Sequence, residues 1–210
     1  MNRALAALAG TVGAVAWMTW RRHTATGDGI EYRTLGRVGD GERRRYPAVV
    51  VAETVADTAG EASGRLEDYL AGANTAAATL PRSGPIRTQH EPVAMTTPHQ
   101  PAAPASRLRM GVYLGASFTA ETAPEPTNPT VRLTVETPRT LATRPVSRLS
   151  RLSRLSRRDR SSRTERAMTT LLDRTADADL VAVGSPFVLS YPRRYLPASL
   201  TRTEVAVEVV

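Results

Sequence analysis

Two imidazoles and a thioether lie close together in this chain: His90 and His99 bracket the segment Val93-Ala94-Met95-Thr96-Thr97-Pro98. Imidazole nitrogen and thioether sulfur both ligate transition metals. Read as a strand, the segment can bring its flanking histidines toward one face of a sheet. The plainer readings are two solvent-exposed loop histidines and a methionine facing the core. A second set sits on one predicted helical face, where Leu66, Tyr69, Leu70 and Ala73 recur at i, i+3, i+4 and i+7 beside Arg65. A guanidinium can bind a carboxylate with two hydrogen bonds. The Leu-Tyr-Leu face is either a contact surface for an apolar ligand or plain core.

No catalytic group assembles by motif. The chain lacks G-x-S-x-G, H-E-x-x-H and a Gly-rich phosphate loop followed by Lys, and it has no cysteine to act as nucleophile, thiolate ligand or disulfide partner. Glu67 and Asp68 are neighbours on a helix, so their carboxylates splay apart.

The elements that must position these side chains follow from periodicity. Strands are expected at Ile30 to Leu35, Ala48 to Thr54, Pro92 to Thr97 and Leu108 to Leu114, with a helix at Glu61 to Ala73. A second series has strands at Val131 to Glu136, Thr140 to Val146, Phe187 to Tyr191 and Glu204 to Val210, with a helix at Thr164 to Arg174. Each series reads β-β-α-β-β, and on periodicity the chain is α+β. Thr75 to Glu91 and Gln100 to Ser106, rich in Ala, Thr and Pro, read as surface loops.

The amino terminus reads differently. Residues 1–23 contain an uncharged apolar run, Ala4 to Trp20, closed by Arg21-Arg22-His23. It spans roughly 25 Å as a helix, the short end of what crosses a bilayer. The preferred reading is an uncleaved membrane anchor with Trp17 and Trp20 at the interface and the body on the cytoplasmic side. A signal peptide cleaved after Ala14-Val15-Ala16 is the competing one. His23 then lies at the interface. Residues 24–29 form a linker, and 30–210 form the body.

Of 210 residues, 28 are basic and all are Arg, giving a net charge of +8. That balance invites a nucleic-acid reading, but its location argues against one. Between Arg144 and Arg166, nine Arg face Asp159 and Glu165, so this stretch carries +7 of the total. It contains a Ser-Arg-Leu repeat inserted at 147–163, which reads as a solvated low-complexity loop or as a membrane contact.

Several short motifs occur in fixed order: Gly41-Glu42-Arg43-Arg44-Arg45-Tyr46-Pro47 running into Ala48-Val49-Val50-Val51-Ala52-Glu53-Thr54, then Tyr69-Leu70-Ala71-Gly72-Ala73-Asn74, Val93 to Pro98, Pro124-Glu125-Pro126, and Arg202-Thr203-Glu204-Val205. Together they resemble the SOUL, or haem-binding protein, family over about residues 30–210. The resemblance implies duplicated β-β-α-β-β units in a distorted antiparallel barrel or sheet with two packed helices. It also implies non-covalent binding of haem or a related tetrapyrrole by a membrane-tethered carrier, buffer or sensor. A haem-modifying enzyme, or an interaction module that has lost tetrapyrrole binding, are the alternatives. The cleft it implies matches Arg65, Leu66, Tyr69 and Leu70, with Arg65 on a propionate and Met95 and His99 nearby. His99 and His90 are candidates for haem iron. In relatives credited with an iron-ligating histidine it precedes the motif Tyr, where this chain has Arg45. Glu42, Arg44, Tyr46, Asn74, Pro98 and Glu204 read as fold-forming, at turns and strand ends.

Overall fold

The computed structural model describes residues 30–82, 84–92, 106–146, 157–191 and 202–210. Nine strands and two helices make up this body. Strand β1 (Arg33–Val38) turns back into β2 (Gly41–Tyr46), followed by β3 (Val49–Ala56) and α1 (Ala59–Ala71). Then come β4 (Ile86–Pro92), β5 (Ser106–Tyr113), β6 (Val131–Glu136), β7 (Arg139–Pro145), α2 (Arg157–Asp177), β8 (Ala182–Tyr191) and β9 (Arg202–Val209). All pairings are antiparallel, in the order β1-β2-β7-β9-β8-β4-β5-β3-β6.

Local chemistry sets several boundaries. The β1–β2 turn places Gly39 at φ +58°, a conformation that tight hairpin turns require and glycine adopts freely. Thr58 caps α1, its hydroxyl accepting from the Glu61 amide at 3.2 Å, and Gly72 ends the helix at φ +125°. Beyond it, the buried Asn74 side chain donates to the carbonyls of Tyr69 and Ala78 and accepts from the amides of Ala76 and Ala78.

Both helices pack on one face of the sheet. Successive register pairs carry that face from Ala52 through Val112, Ile86, Ser190 and Thr203, and Val207 beside Ala142 continues it. Helix α1 lays Ala62, Leu66, Tyr69 and Leu70 against Val50, Ala52, Ala56, Leu108, Met110 and Val112. Helix α2 lays Ala167 and Leu171 against Ala142, Val205, Val207 and Val209.

The opposite face has no helix, yet Val51, Tyr113, Leu141, Phe187, Leu189 and Ala206 are buried there. Connectivity supplies the reason. Two residues join β2 to β3, and two join β6 to β7, although each of these pairs is six ladder steps apart. Six steps measure about 29 Å in a flat sheet, whereas three Cα-to-Cα steps reach at most about 11 Å. The sheet must therefore roll at this corner, and its helix-free face becomes an interior. No ladder joins β1 to β6, so the sheet stays open.

Three expectations change. Strand β4 occupies part of the stretch read as a loop, and it is central in the sheet. Strand β2, read only as a motif, is also an internal strand. Helix α2 begins at Arg157, within the basic stretch read as an insertion. The expected strand beyond Pro92 and the repeat at 147–156 lie outside the described residues.

Candidate functional site

The rolled face carries two charge networks that the strand periodicity aims inward. At one end Arg44 on β2 donates to both Glu204 oxygens on β9, at 2.8 and 3.1 Å, and to Glu42 at 2.8 Å. Arg44 and Glu204 are 3% and 0% exposed, so neither charge has water to replace its partner. The Tyr191 hydroxyl donates to Glu204 at 2.8 Å, Arg202 adds a further bond, and the Tyr32 ring lies 4.6 Å from the Arg44 guanidinium. Burial alone would favour neutral forms. For Arg44, burial lowers the pKa, but the hydrogen bonds and charge of Glu204 outweigh it and the value rises. For Glu204, burial raises the pKa, but Arg44 and Arg202 hold it below the usual carboxylate value. The pair is ionised.

In the second network Arg87 bridges Glu53, at 2.8 Å, and Glu136. Arg109 reaches Glu53 at 3.1 Å. Arg139 pairs with Glu136, lies 4.0 Å from Glu208 and donates to the Tyr113 hydroxyl at 3.1 Å. Burial pushes the Tyr113 phenol up, so it stays neutral.

Where the two short crossovers meet, a pocket opens between the networks. Tyr46, Pro47 and Val49 come from the β2–β3 crossover, Glu136, Arg139 and Leu141 from the β6–β7 crossover, and Ile30, Pro85, Tyr113 and Leu189 complete it. Its cavity volume is about 10 Å³, room for about one water. The Tyr46 hydroxyl is buried with no hydrogen-bond partner among the described residues.

The residues expected to form a ligand cleft lie on the other face, along α1. Leu66, Tyr69 and Leu70 are 1%, 1% and 7% exposed and belong to the core beneath that helix. The Tyr69 hydroxyl donates to the Pro124 carbonyl at 2.9 Å, and burial pushes its pKa up to about 12. Arg65 is partly exposed, donating to the Val55 carbonyl at 3.0 Å and pairing with Glu61. His90 is exposed on β4, opposite Leu108. Met95 and His99 lie outside the described residues. Among the described residues no cluster of His, Asp or Glu could hold a metal ion.

The expected membrane-anchored localisation and transmembrane helix are corrected here. Among the described residues, no helix is long and apolar enough to cross a membrane. The run at 4–20 to which that expectation was attached lies outside them.

Comparison with known proteins adds a decisive match. Residues 28–208 fit the family described as SOUL heme-binding protein. The chain belongs to the SOUL family. The match takes in every strand and helix of the SOUL domain except its last residue, Val209. No curated protein sequence matches the chain. Among solved structures, the SOUL domain is similar to an uncharacterized conserved protein from Listeria innocua at TM-score 0.53 and 8% identity, covering 84% of this chain and 94% of that one. It is also similar to the C-terminal domain of EcmrR, at TM-score 0.48 and 10% identity, covering 81% and 96%. A hydrolase from Listeria innocua is similar at TM-score 0.49 and 9% identity, covering 83% and 93%. The first likeness shows the α+β fold.

Within the SOUL domain, Arg45 points away from the interior, exposed on β2 and donating to Thr140 at 3.2 Å. Sequence reasoning missed two features of the site: the partnership of Arg44 with Glu204, and the pocket at the crossovers. Their signal was charge at alternate positions in strand-forming segments.

Proposed function

We propose that this domain binds haem or a related tetrapyrrole without a covalent bond, as a carrier, buffer or sensor. The observation that carries this reading is the family match over residues 28–208, which takes in almost the whole folded body. The contacts we propose lie on the α1 side: Arg65 on a propionate, with Leu66, Tyr69 and Leu70 holding the helix that presents it. Met95 and His99 flank that site in the proposal, and His99 and His90 are the candidates for iron. Since Leu66, Tyr69 and Leu70 are buried, ring contact through them needs α1 to lift. The crossover pocket, with a cavity volume of about 10 Å³, has room for about one water and none for a macrocycle.

We further read residues 30–210 as one domain built from two β-β-α-β-β units in a distorted barrel. The exchange of β2 onto β7 and of β6 onto β3 supports that duplication. A second reading, an interaction module without tetrapyrrole binding, draws support from the sealed α1 face and from Arg45 at the position of the ligating histidine.

The test is hemin affinity of the full chain against Arg65→Ala, His90→Ala and His99→Ala. Loss of a charge-assisted pair predicts about tenfold weaker binding for Arg65→Ala. Equal affinity in that variant would remove α1 from the site.

A further inference from the structure

The two faces of the β1–β2–β7–β9 strands treat charge differently. On the interior face Arg44 lies between Glu42 and Glu204, and Arg139 between Glu136 and Glu208. On the helix-bearing face the register sets Arg33 on β1 directly opposite Arg45 on β2, with Arg43 two residues along from Arg45. Arg43 stands beside Ala142, which α2 covers, so all three belong to that face. Arg33 and Arg45 are exposed and Arg43 is half-buried. Among the described residues no ion pair reaches any of them, and their one side-chain hydrogen bond runs from Arg45 to the Thr140 hydroxyl at 3.2 Å. Strands β7 and β9 bring Ala142, Val205 and Val207 to this face, and its other charge, Arg144, is held by Asp40 at 2.7 Å. The remaining acid nearby, Glu31, is exposed two residues before Arg33 and joins no ion pair among the described residues. Like charges directly opposite across a ladder repel at Cβ separations of about 4.5–5.5 Å. A carboxylate placed over them removes that cost.

Strand β1 is also an edge. It stands first in the strand order, so its outer N–H and C=O groups meet no strand among the described residues. Charge on an edge discourages pairing with a second copy, since two such edges would set arginine against arginine. The same charge favours an acidic strand. Gly36 clears its way: it lies opposite Arg43, and a Cβ there would meet nothing within 4 Å. No side chain of β1 therefore stands between Arg43 and the open edge. We infer that the outer edge of β1 receives an extended peptide with carboxylates at alternate positions, one beside Arg33 and Arg45 and the next crossing Gly36 to Arg43. Strand addition of this kind takes affinity from main-chain hydrogen bonds and specificity from alternate side chains. A nucleic acid fits less well, because it has no row of amides to match the edge, and three arginines displace too few counterions to hold it in moderate salt. The surface shares no residue with the contacts proposed on α1.

The test uses the full chain and an end-blocked peptide of about six residues, the length of a typical strand, alternating Glu with Thr. Its controls are the same peptide with Gln for Glu, one with every Glu in a single block, and an oligothymidylate of equal charge. Affinity and hydrogen exchange of the β1 amides are the readouts. The alternating peptide is expected to bind saturably, about tenfold tighter than the Gln form, and to slow exchange at the β1 amides that do not bond to β2. Arg43→Gln is expected to weaken binding about fivefold, and to have no further effect once Gly36→Val has filled the crossing. Arg33→Gln is expected to weaken binding while raising the thermal midpoint of the free chain, because it ends the repulsion with Arg45. Equal affinity for the Gln form, or unchanged exchange at β1, would overturn the proposal and leave a charged edge that only repels other copies. Equal binding of the block peptide would overturn strand addition, and tighter binding of the oligothymidylate would overturn the peptide class. A lowered midpoint in Arg33→Gln would assign that residue to the fold and overturn its place in the surface. Failure of hemin to bind leaves the inference standing.

Discussion

Arg44 and Glu204 hold opposite charges in an interior that would reject either one singly. Removing one partner of such a pair strands the other, at about 3–5 kcal/mol, while replacing both by apolar residues is often neutral. Glu204→Gln should therefore lower the urea midpoint strongly, and the double change Arg44→Met with Glu204→Met should recover most of the loss. The acid limb carries the same information. The folded pKa of Glu204 lies below its ordinary value near 4.5, so between the two the unfolded chain holds more protons. Its contribution is complete above 4.5 and is lost as pH falls through the folded value. Glu204→Gln should flatten that limb, and an unchanged slope would remove Glu204 from the account. None of this partnership is legible in the sequence. Both residues read as fold-forming, but the partners are 160 positions apart, and no local pattern pairs them.

Elements show where local signals suffice and where they do not. Strand β6 runs from Val131 to Glu136 as expected, and α1 differs from its expected span by two residues at each end, because apolar spacing marks both. Strands β2 and β4 were hidden because their neighbours in the sheet, rather than their own composition, make them strands. Gly-Glu-Arg-Arg-Arg-Tyr and Ile-Arg-Thr-Gln-His-Glu-Pro carry little apolar alternation. Two glycines separate crowding from conformational freedom. A Cβ on Gly41 would sit 2.1 Å from the Thr143 carbonyl oxygen across the β2–β7 ladder, while one on Gly64 in α1 meets nothing within 4 Å. Gly41→Ala should cost about 1–3 kcal/mol by overpacking, and Gly64→Ala should stabilise by about 0.5–1 kcal/mol through helix propensity. Thermal melts giving both variants the same sign would contradict the packing described.

At the scale of the molecule, rolling turns a helix-free sheet face into an interior with its own apolar cluster, two charge networks and a pocket. Fold class was legible because alternation and helical spacing are local; periodicity said nothing of the rolled sheet, which follows from which distant strands pair, and only the family resemblance implied a distorted barrel or sheet. The family was legible for another reason: its motifs survive as short runs in order, and the match over residues 28–208 bears that out. The central claim is that this SOUL domain binds a tetrapyrrole, and the direct test is an absorbance titration of the full chain with hemin and with iron-free protoporphyrin. The account predicts a saturable one-to-one Soret shift with both pigments, since packing and Arg65 rather than iron supply the hold. No saturable shift with either would contradict it and leave an interaction module on the same fold.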